Sequence, residues 1–264
     1  MIHPTAVVHE GAFIAGDASI GPYCIIGDGV RISPGVRLMN NVVVEGDTEV
    51  GPETVIYPFA YIGGPPQDLK YHGEKTGVRI GRGNTIREYV TVHRGSVGGE
   101  GFTVVGDSNY IMAYAHIAHD CKVGSNIVMA NAASLSGHVE VQDHAILGGI
   151  IGVHQFVRIG AYSMTGAFSG IAQDIPPFTL ASGSRAKLYG LNLVGLRRHG
   201  FSKGLVDELA KAYKILFRSK QTMKDAIEKA VQELPASPEL ERLLEFVKTS
   251  RRGICKSTAS RVDF

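Results

Sequence analysis

The chain has 264 residues, with 27 Lys+Arg against 25 Asp+Glu and a formal net charge of +2. Such balance gives no global argument for a nucleic-acid or membrane partner. No apolar run approaches the length of a bilayer span, and Met1-Ile2-His3-Pro4-Thr5 lacks the basic-then-apolar order of a signal peptide. The three cysteines, Cys24, Cys121 and Cys255, are odd in number and without zinc-ligand spacing; a reducing cytoplasm is the expected location.

Counting by six from Ile2 gives Val8, Ile14, Ile20, Ile26, Ile32, Leu38, Val44, Val50, Ile56 and Ile62, all aliphatic. The count breaks after Ile62, resumes as Ile80, Ile86 and Val92, and breaks again near Gly95. It then runs from Val105 to Ile171, departing from Ile, Val and Leu only at Met129 and Thr165. Glycine often follows the aliphatic residue, and the fourth residue after it is usually small or β-branched (Ala6, Ala12, Ala18, Cys24, Val30). Six residues therefore make one short strand and a turn, with two inward positions. Rungs of this kind bury nothing alone and must stack. Three rungs, or eighteen residues, predict one coil of a triangular prism whose parallel strands lie about 4.8 Å apart. The chain is expected to be mainly β: a parallel β-helix over 1–186, with loops extruded near 63–79 and 95–104, then a C-terminal α-helical domain over 187–264. Pro176-Pro177 is expected to end the repeat. Ser202, Thr222 and Ser237-Pro238 read as helix starts, with Leu205, Leu209, Ala212, Tyr213, Leu216 and Phe217 on the buried face of the first helix. Met223, Ile227, Ala230, Val231 and Leu234 form the second stripe, and a loose basic tail is expected from about Arg251.

The eighteen-residue coil brings particular polar residues together. Gly137 is expected one coil above His119, and Gln155 one coil above that. Asp120 and His138 form the neighbouring column, with Ser136 and His154 on the other side and His116 just before. A histidine could remove a proton from an attacking hydroxyl here, and a glycine N–H could receive the developing oxyanion. Solvated turns and a zinc site are the competing readings of this imidazole cluster. A Cys121–His119 nucleophile is disfavoured because Cys121 occupies an inward position, where a thiolate is poorly supported.

The segments Pro66-Gln67-Asp68-Leu69-Lys70-Tyr71, Thr91-Val92-His93-Arg94-Gly95, Ala115-His116-Ile117-Ala118-His119-Asp120-Cys121, Ser136-Gly137-His138-Val139, Val153-His154-Gln155-Phe156 and Gln173-Asp174-Ile175-Pro176-Pro177 resemble those of the UDP-N-acetylglucosamine O-acyltransferase family. These are hexapeptide-repeat acyltransferases of the first step of lipid A synthesis. The resemblance implies a left-handed β-helix, and transfer of a 3-hydroxyacyl group from acyl carrier protein to the glucosamine 3-position of a UDP-sugar. It implies His119 as general base, Asp120 as its orienting partner and Gly137 as oxyanion donor. Gln67, Asp68, Lys70, His116, His138, His154, Gln155, Asn192 and Arg198 would bind substrate, and Met164 and Ala167 would measure the acyl chain. A homotrimer is implied, without metal or bound cofactor; the donor brings its own phosphopantetheine thioester. Val194 and His199 depart from the family pattern, so the acceptor could be a 3-amino sugar. The acyl chain is expected to be somewhat shorter than glycine at position 167 would admit. Arg197, Arg198, His199, Lys203, Arg218 and Lys220 read either as a docking surface for the acidic carrier protein or as a solvated helix face.

Overall fold

The computed structural model describes residues 1–219 and 221–258, so Lys220 of the basic set lies outside the described residues. The prism is a left-handed parallel β-helix. Its three faces are sheets of parallel strands, save for the last strand of face 3. Face 1 has nine strands, from Val7–Val8 to Gly170–Ile171, and face 2 has eight, from Phe13–Ile14 to Arg158–Ile159. Face 3 has ten, from Ser19–Ile20 to Lys187–Leu191.

Most rungs pair eighteen residues apart, as in Val7↔Ile25 and His116↔Ser134. Two coils are longer. Tyr61 pairs with Thr91 and Thr91 with His116, separations that add twelve and seven residues to the eighteen. The additions are loops 65–76 and 94–101, and both leave the corner between faces 1 and 2. The expected loop bounds of 63–79 and 95–104 included residues that the structure keeps in strands, Tyr61–Gly64, Gly77–Ile80 and Phe102–Val105.

The aliphatic position of the hexad fills the prism: Ile26, Ile32, Val44, Ile56, Ile86, Ile117 and Leu135 are fully buried. Each such side chain contributes roughly 1.5–3 kcal/mol. In the first coil Ile2 is exposed and Val8 and Ile14 are half-buried. Corners turn through one residue with positive φ, and these residues recur at coil spacing: Asp120, His138 and Phe156 at the 1–2 corner, and Asn126, His144 and Tyr162 at the 2–3 corner. On the coils that carry the insertions, two buried asparagines take the small inward position. Asn84 Nδ2 donates to the carbonyls of Gly81 (2.9 Å) and Gly106 (2.8 Å), while its Oδ1 accepts the Asn109 N–H at 2.9 Å. Asn109 repeats the pattern one coil up, to the Gly124 carbonyl and the Ile127 N–H.

The far end departs from the sequence reading. Pro176 and Pro177 do not end the coil. Ile175 bridges Ile159 on face 2, the prolines take the corner, and Thr179–Ser182 adds a parallel rung to face 3. That coil is two residues short (Met164↔Leu180), which hides it from a count by eighteen. Lys187–Leu191 then returns antiparallel against Thr179–Ser182, so residues 187–191, expected in the helical domain, belong to the sheet. Among the described residues four helices follow: α1 Leu193–Arg198, α2 Lys203–Arg218, α3 Met223–Glu233 and α4 Pro238–Lys248. Ser202, Thr222 and Ser237 cap the last three by accepting the N–H three residues on. On α3 the buried stripe is Ala226 and Ala230, leaving Val231 exposed. Of the tail expected to be loose from about Arg251, the described part, to residue 258, is docked: Ile254 bridges Asp174, Ser257 bridges Leu188, and the Tyr213 hydroxyl lies 2.9 Å from Ser257 Oγ.

Asn84→Ala would leave the Gly106 carbonyl and the Asn109 N–H unpaired inside the prism. The expected cost is about 2–5 kcal/mol, read as a lower unfolding midpoint; an unchanged midpoint would mean that water replaces the amide.

Candidate active site

The 1–2 corner carries, in vertical order, loop 65–76, loop 94–101, His119-Asp120, Gly137-His138 and Gln155-Phe156. The parallel register alone produces this order, since residues eighteen apart share a corner position. His119 and Asp120 are 8% and 6% exposed although they sit at a corner, because the extruded loops cover them. Asp120 turns the chain in the left-handed region (φ 59°), which swings its carboxylate back beside the preceding imidazole. Asp120 Oδ2 lies 2.8 Å from His119 Nδ1 and 3.8 Å from His138 Nε2.

Gly137 lies against the other side of the His119 ring. A Cβ at this position would stand 2.5 Å from Cε1 and 2.6 Å from Nε2, so only a hydrogen fits. Among the described residues the Gly137 N–H donates to no protein acceptor, whereas the following N–H, of His138, is tied to the His119 carbonyl at 3.0 Å. The corner thus presents a free N–H within one residue's reach of an imidazole nitrogen. His138 meets His119 edge to face at 5.2 Å between centroids and stacks on Phe156 at 4.5 Å. A cavity of about 260 Å³ opens beside Asp120 and His138, with Gly99, Glu100 and Lys122 on its wall.

Burial alone would raise the Asp120 carboxyl, but hydrogen bonds from His119 and Ser96 outweigh it and hold the group below its ordinary value. Burial, helped by the nearby His119, pushes His116 down. Burial also lowers His138, against the opposing pull of Asp120 and Asp68. This influence places Asp68 within electrostatic reach of the cluster, although it lies on the distant loop 65–76. Its carboxylate also accepts the Lys70 N–H at 3.0 Å. Cys121 is fully buried and its thiol is pushed up to about 12 by burial, which removes it as a nucleophile. His119, Asp120 and His138 could each offer a metal one ligand atom, all within 4.8 Å of one another. Asp120 Oδ2 is already engaged by His119 and Ser96.

The corner brings together His116, His119, Asp120, Gly137 and His138, with Asp68 nearby. His154 and Gln155 stand exposed one coil above, His154 Nδ1 lying 3.2 Å from Arg252 NH2. Gln67 and Lys70 are exposed on the loop. The remaining candidates lie elsewhere. Met164 is on a face 3 strand, and Ala167 is exposed at the corner between faces 3 and 1. Asn192 is buried as the cap of α1, its side chain spent on the Gly195 N–H (3.1 Å) and the Tyr162 carbonyl (3.0 Å). Arg198 is exposed at the end of α1, and His199 packs against His144 and Tyr162 at the 2–3 corner.

Four residues of the neighbourhood were not among the candidates. Thr91 Oγ1 lies 2.7 Å from His116 Nδ1, and His93 meets the His116 ring edge to face at 5.0 Å. Ser96 and Thr103 both hydrogen-bond to Asp120. Thr91, His93 and Ser96 precede the cluster across the seven-residue insertion, which displaces them from the eighteen-residue count; Thr103 lies beyond the insertion, 17 residues before Asp120 on the ordinary register.

Comparison with known proteins agrees with the fold. Residues 174–255 match the family model described as UDP N-acetylglucosamine O-acyltransferase, domain 2, and residues 5–39 match that of the bacterial transferase hexapeptide. The chain is 60% identical over 255 residues to the acyl-[acyl-carrier-protein]–UDP-N-acetylglucosamine O-acyltransferase of Thermodesulfovibrio yellowstonii, covering 97% of this chain and 99% of the relative. It is 51% identical to the protein of the same name from Syntrophobacter fumaroxidans, covering 97% and 99%. Among solved structures, LpxA from Acinetobacter baumannii superposes with a TM-score of 0.95 at 44% identity, covering 97% of this chain and 99% of that one. UDP-N-acetylglucosamine acyltransferase from Campylobacter jejuni gives 0.93 at 40%, covering 98% and 100%.

His93 supplies a pH test. Burial, with His116, His119 and Arg94 nearby, brings its folded value to about 4 from 6.5. The unfolded chain therefore binds more protons between these values. The stabilising effect of a neutral His93 is complete above pH 6.5 and is lost as pH falls toward 4, by up to about 3 kcal/mol. Unfolding midpoints measured from pH 7 to 4.5 should fall more steeply for wild type than for His93→Gln; equal slopes would overturn the assignment.

Proposed function

The chain belongs to the UDP-N-acetylglucosamine O-acyltransferase family, and on that premise we propose that it acylates the glucosamine 3-hydroxyl of UDP-N-acetylglucosamine from acyl carrier protein, the first step of lipid A synthesis. The observation that carries the reading is the His119–Asp120 pair facing Gly137. Asp120 accepts a proton-mediated contact at His119 Nδ1, which leaves Nε2 as the base. Nε2 takes the proton of the 3-hydroxyl as its oxygen attacks the thioester carbonyl. The oxyanion of the tetrahedral intermediate accepts the Gly137 N–H. Collapse breaks the C–S bond, and the departing phosphopantetheine thiolate receives the proton held by His119. The ester forms with no bound cofactor or metal taking part. A cytoplasmic location suits the reading, as does the presence of three buried free cysteines.

The reading extends to substrate contacts. Asp68, Lys70, His116, His138, His154 and Gln155, with Gln67 on the same loop, line the acceptor sugar and diphosphate. Met164 and Ala167 bound the acyl chain, and Asn192 and Arg198 serve the nucleotide end, Asn192 through its placement of α1. These last four lie on face 3 and its bounding corners, away from the His119 corner of the same chain. A homotrimer that sets face 3 of one protomer against the 1–2 corner of the next reunites them. An exposed column at the 3–1 corner, including Tyr23, Phe59, Tyr89, Tyr114, Ile150 and Phe168, gives the trimer apolar surface to bury.

His119→Ala is expected to lower kcat/KM by at least about 10²-fold, with the native oligomer mass retained. Mass spectrometry of the product should show an ester on the 3-hydroxy sugar; an active variant or a preference for the 3-amino sugar would overturn the base or the acceptor, respectively. Mixing His119→Ala with Arg198→Ala chains tests the shared site. Random trimers should carry wild-type residues at about a quarter of the sites, so activity should rise above that of either parent. Activity that stays at the parental level would place each site within one chain.

A further inference from the structure

We infer that Ser96, delivered by loop 94–101, is a positioning residue that commits Asp120 to His119. This builds on the proposed reading of His119 as the base. The Asp120 carboxylate has two candidate imidazole partners, His119 Nδ1 at 2.8 Å and His138 Nε2 at 3.8 Å, and its sequence neighbours do not choose between them. Ser96 does. Its N–H stands 3.1 Å from both carboxylate oxygens, and its hydroxyl donates to Oδ2 at 2.7 Å. From behind, the Asp120 N–H donates to Thr103 Oγ1 at 2.9 Å, which fixes the backbone that carries the carboxylate.

The loop is built for this contact. The seven added residues leave the prism at the 1–2 corner one coil below Asp120 and double back through a turn in which the Gly99 N–H donates to the Ser96 carbonyl at 3.2 Å. A Cβ on Gly99 would lie 2.3 Å from Asp120 Oδ1, so the loop backbone rests directly on the carboxylate. Ser96 and Asp120 are each 6% exposed, so the bonds are made out of bulk solvent. A buried carboxylate left with His119 alone would have unfilled acceptor sites and would be free to rotate toward His138. Ser96 removes that freedom.

The test uses the full-length trimer and kcat/KM measured against pH. Ser96→Ala should lose about 10- to 100-fold, the size of one hydrogen bond to a charged group. The acid limb of its profile should move to lower pH as the carboxylate turns from His119 toward His138 and supports the imidazolium less. Ser96→Thr, which keeps the hydroxyl, should recover most of the loss and the original limb. In an Asp120→Ala background, Ser96→Ala should cost nothing further. If Ser96→Ala fails to fold, the isosteric pair Ser96→Thr and Ser96→Val makes the same comparison, with only the threonine variant keeping the limb. An unmoved limb, or a Ser96→Ala loss that persists without Asp120, would overturn the inference while leaving an inactive His119→Ala, and hence the base, intact. An active His119→Ala would remove both.

Discussion

Every rung of the prism must find its copy eighteen residues away, and this demand organises the molecule. Parallel strands of two residues hold few backbone bonds of their own. Stability comes from vertical repetition, with Ile above Ile and each corner turning through a left-handed residue above another. The same demand places chemistry. A polar residue at a corner cannot stand alone, because the coil above and below presents the same position. His119 therefore faces Gly137, and Asp120 faces His138, as a consequence of register.

The two insertions change what that register can do. A bare corner would leave an imidazole and a carboxylate in water, where their pairing would be worth little. Both loops leave the prism at the corner that carries His119 and lie on the coils below it. Loop 94–101 shields Asp120 and supplies its donors, while loop 65–76 brings the charge of Asp68 toward His138. The coils that carry these insertions are also the ones stitched by Asn84 and Asn109. The prism is thus reinforced by internal hydrogen bonds where its outer surface is interrupted.

The electrostatics of the cluster follow from burial. His93 and His116 are both driven below the ordinary imidazole range, so neither adds positive charge beside His119 at neutral pH. Asp120 remains ionised because its donors outweigh the cost of burying it. The carboxylate in contact with the proposed base is therefore ionised, and the rings of His93 and His116 beside it are neutral. Such an arrangement suits proton abstraction and the passage of that proton to a departing thiolate.

The sequence by itself determined the repeat, the three-faced prism, the helix caps at Ser202, Thr222 and Ser237, and the meeting of His119 with Gly137 and of Asp120 with His138. These follow from a fixed period, and a period can be counted. Tertiary structure decided whatever lies across a change of period. The last rung escapes because its coil is two residues short, and Ser96, Thr91 and His93 escape because seven added residues displace them. That Asn192 caps α1 and holds the Tyr162 carbonyl also escapes the count, since hydrogen-bond partners cannot be counted along a chain. The separation of face 3 from the His119 corner belongs to the same class. Spacing fixes which residues share an edge of one prism, while only the closed shape shows which edges point away from each other.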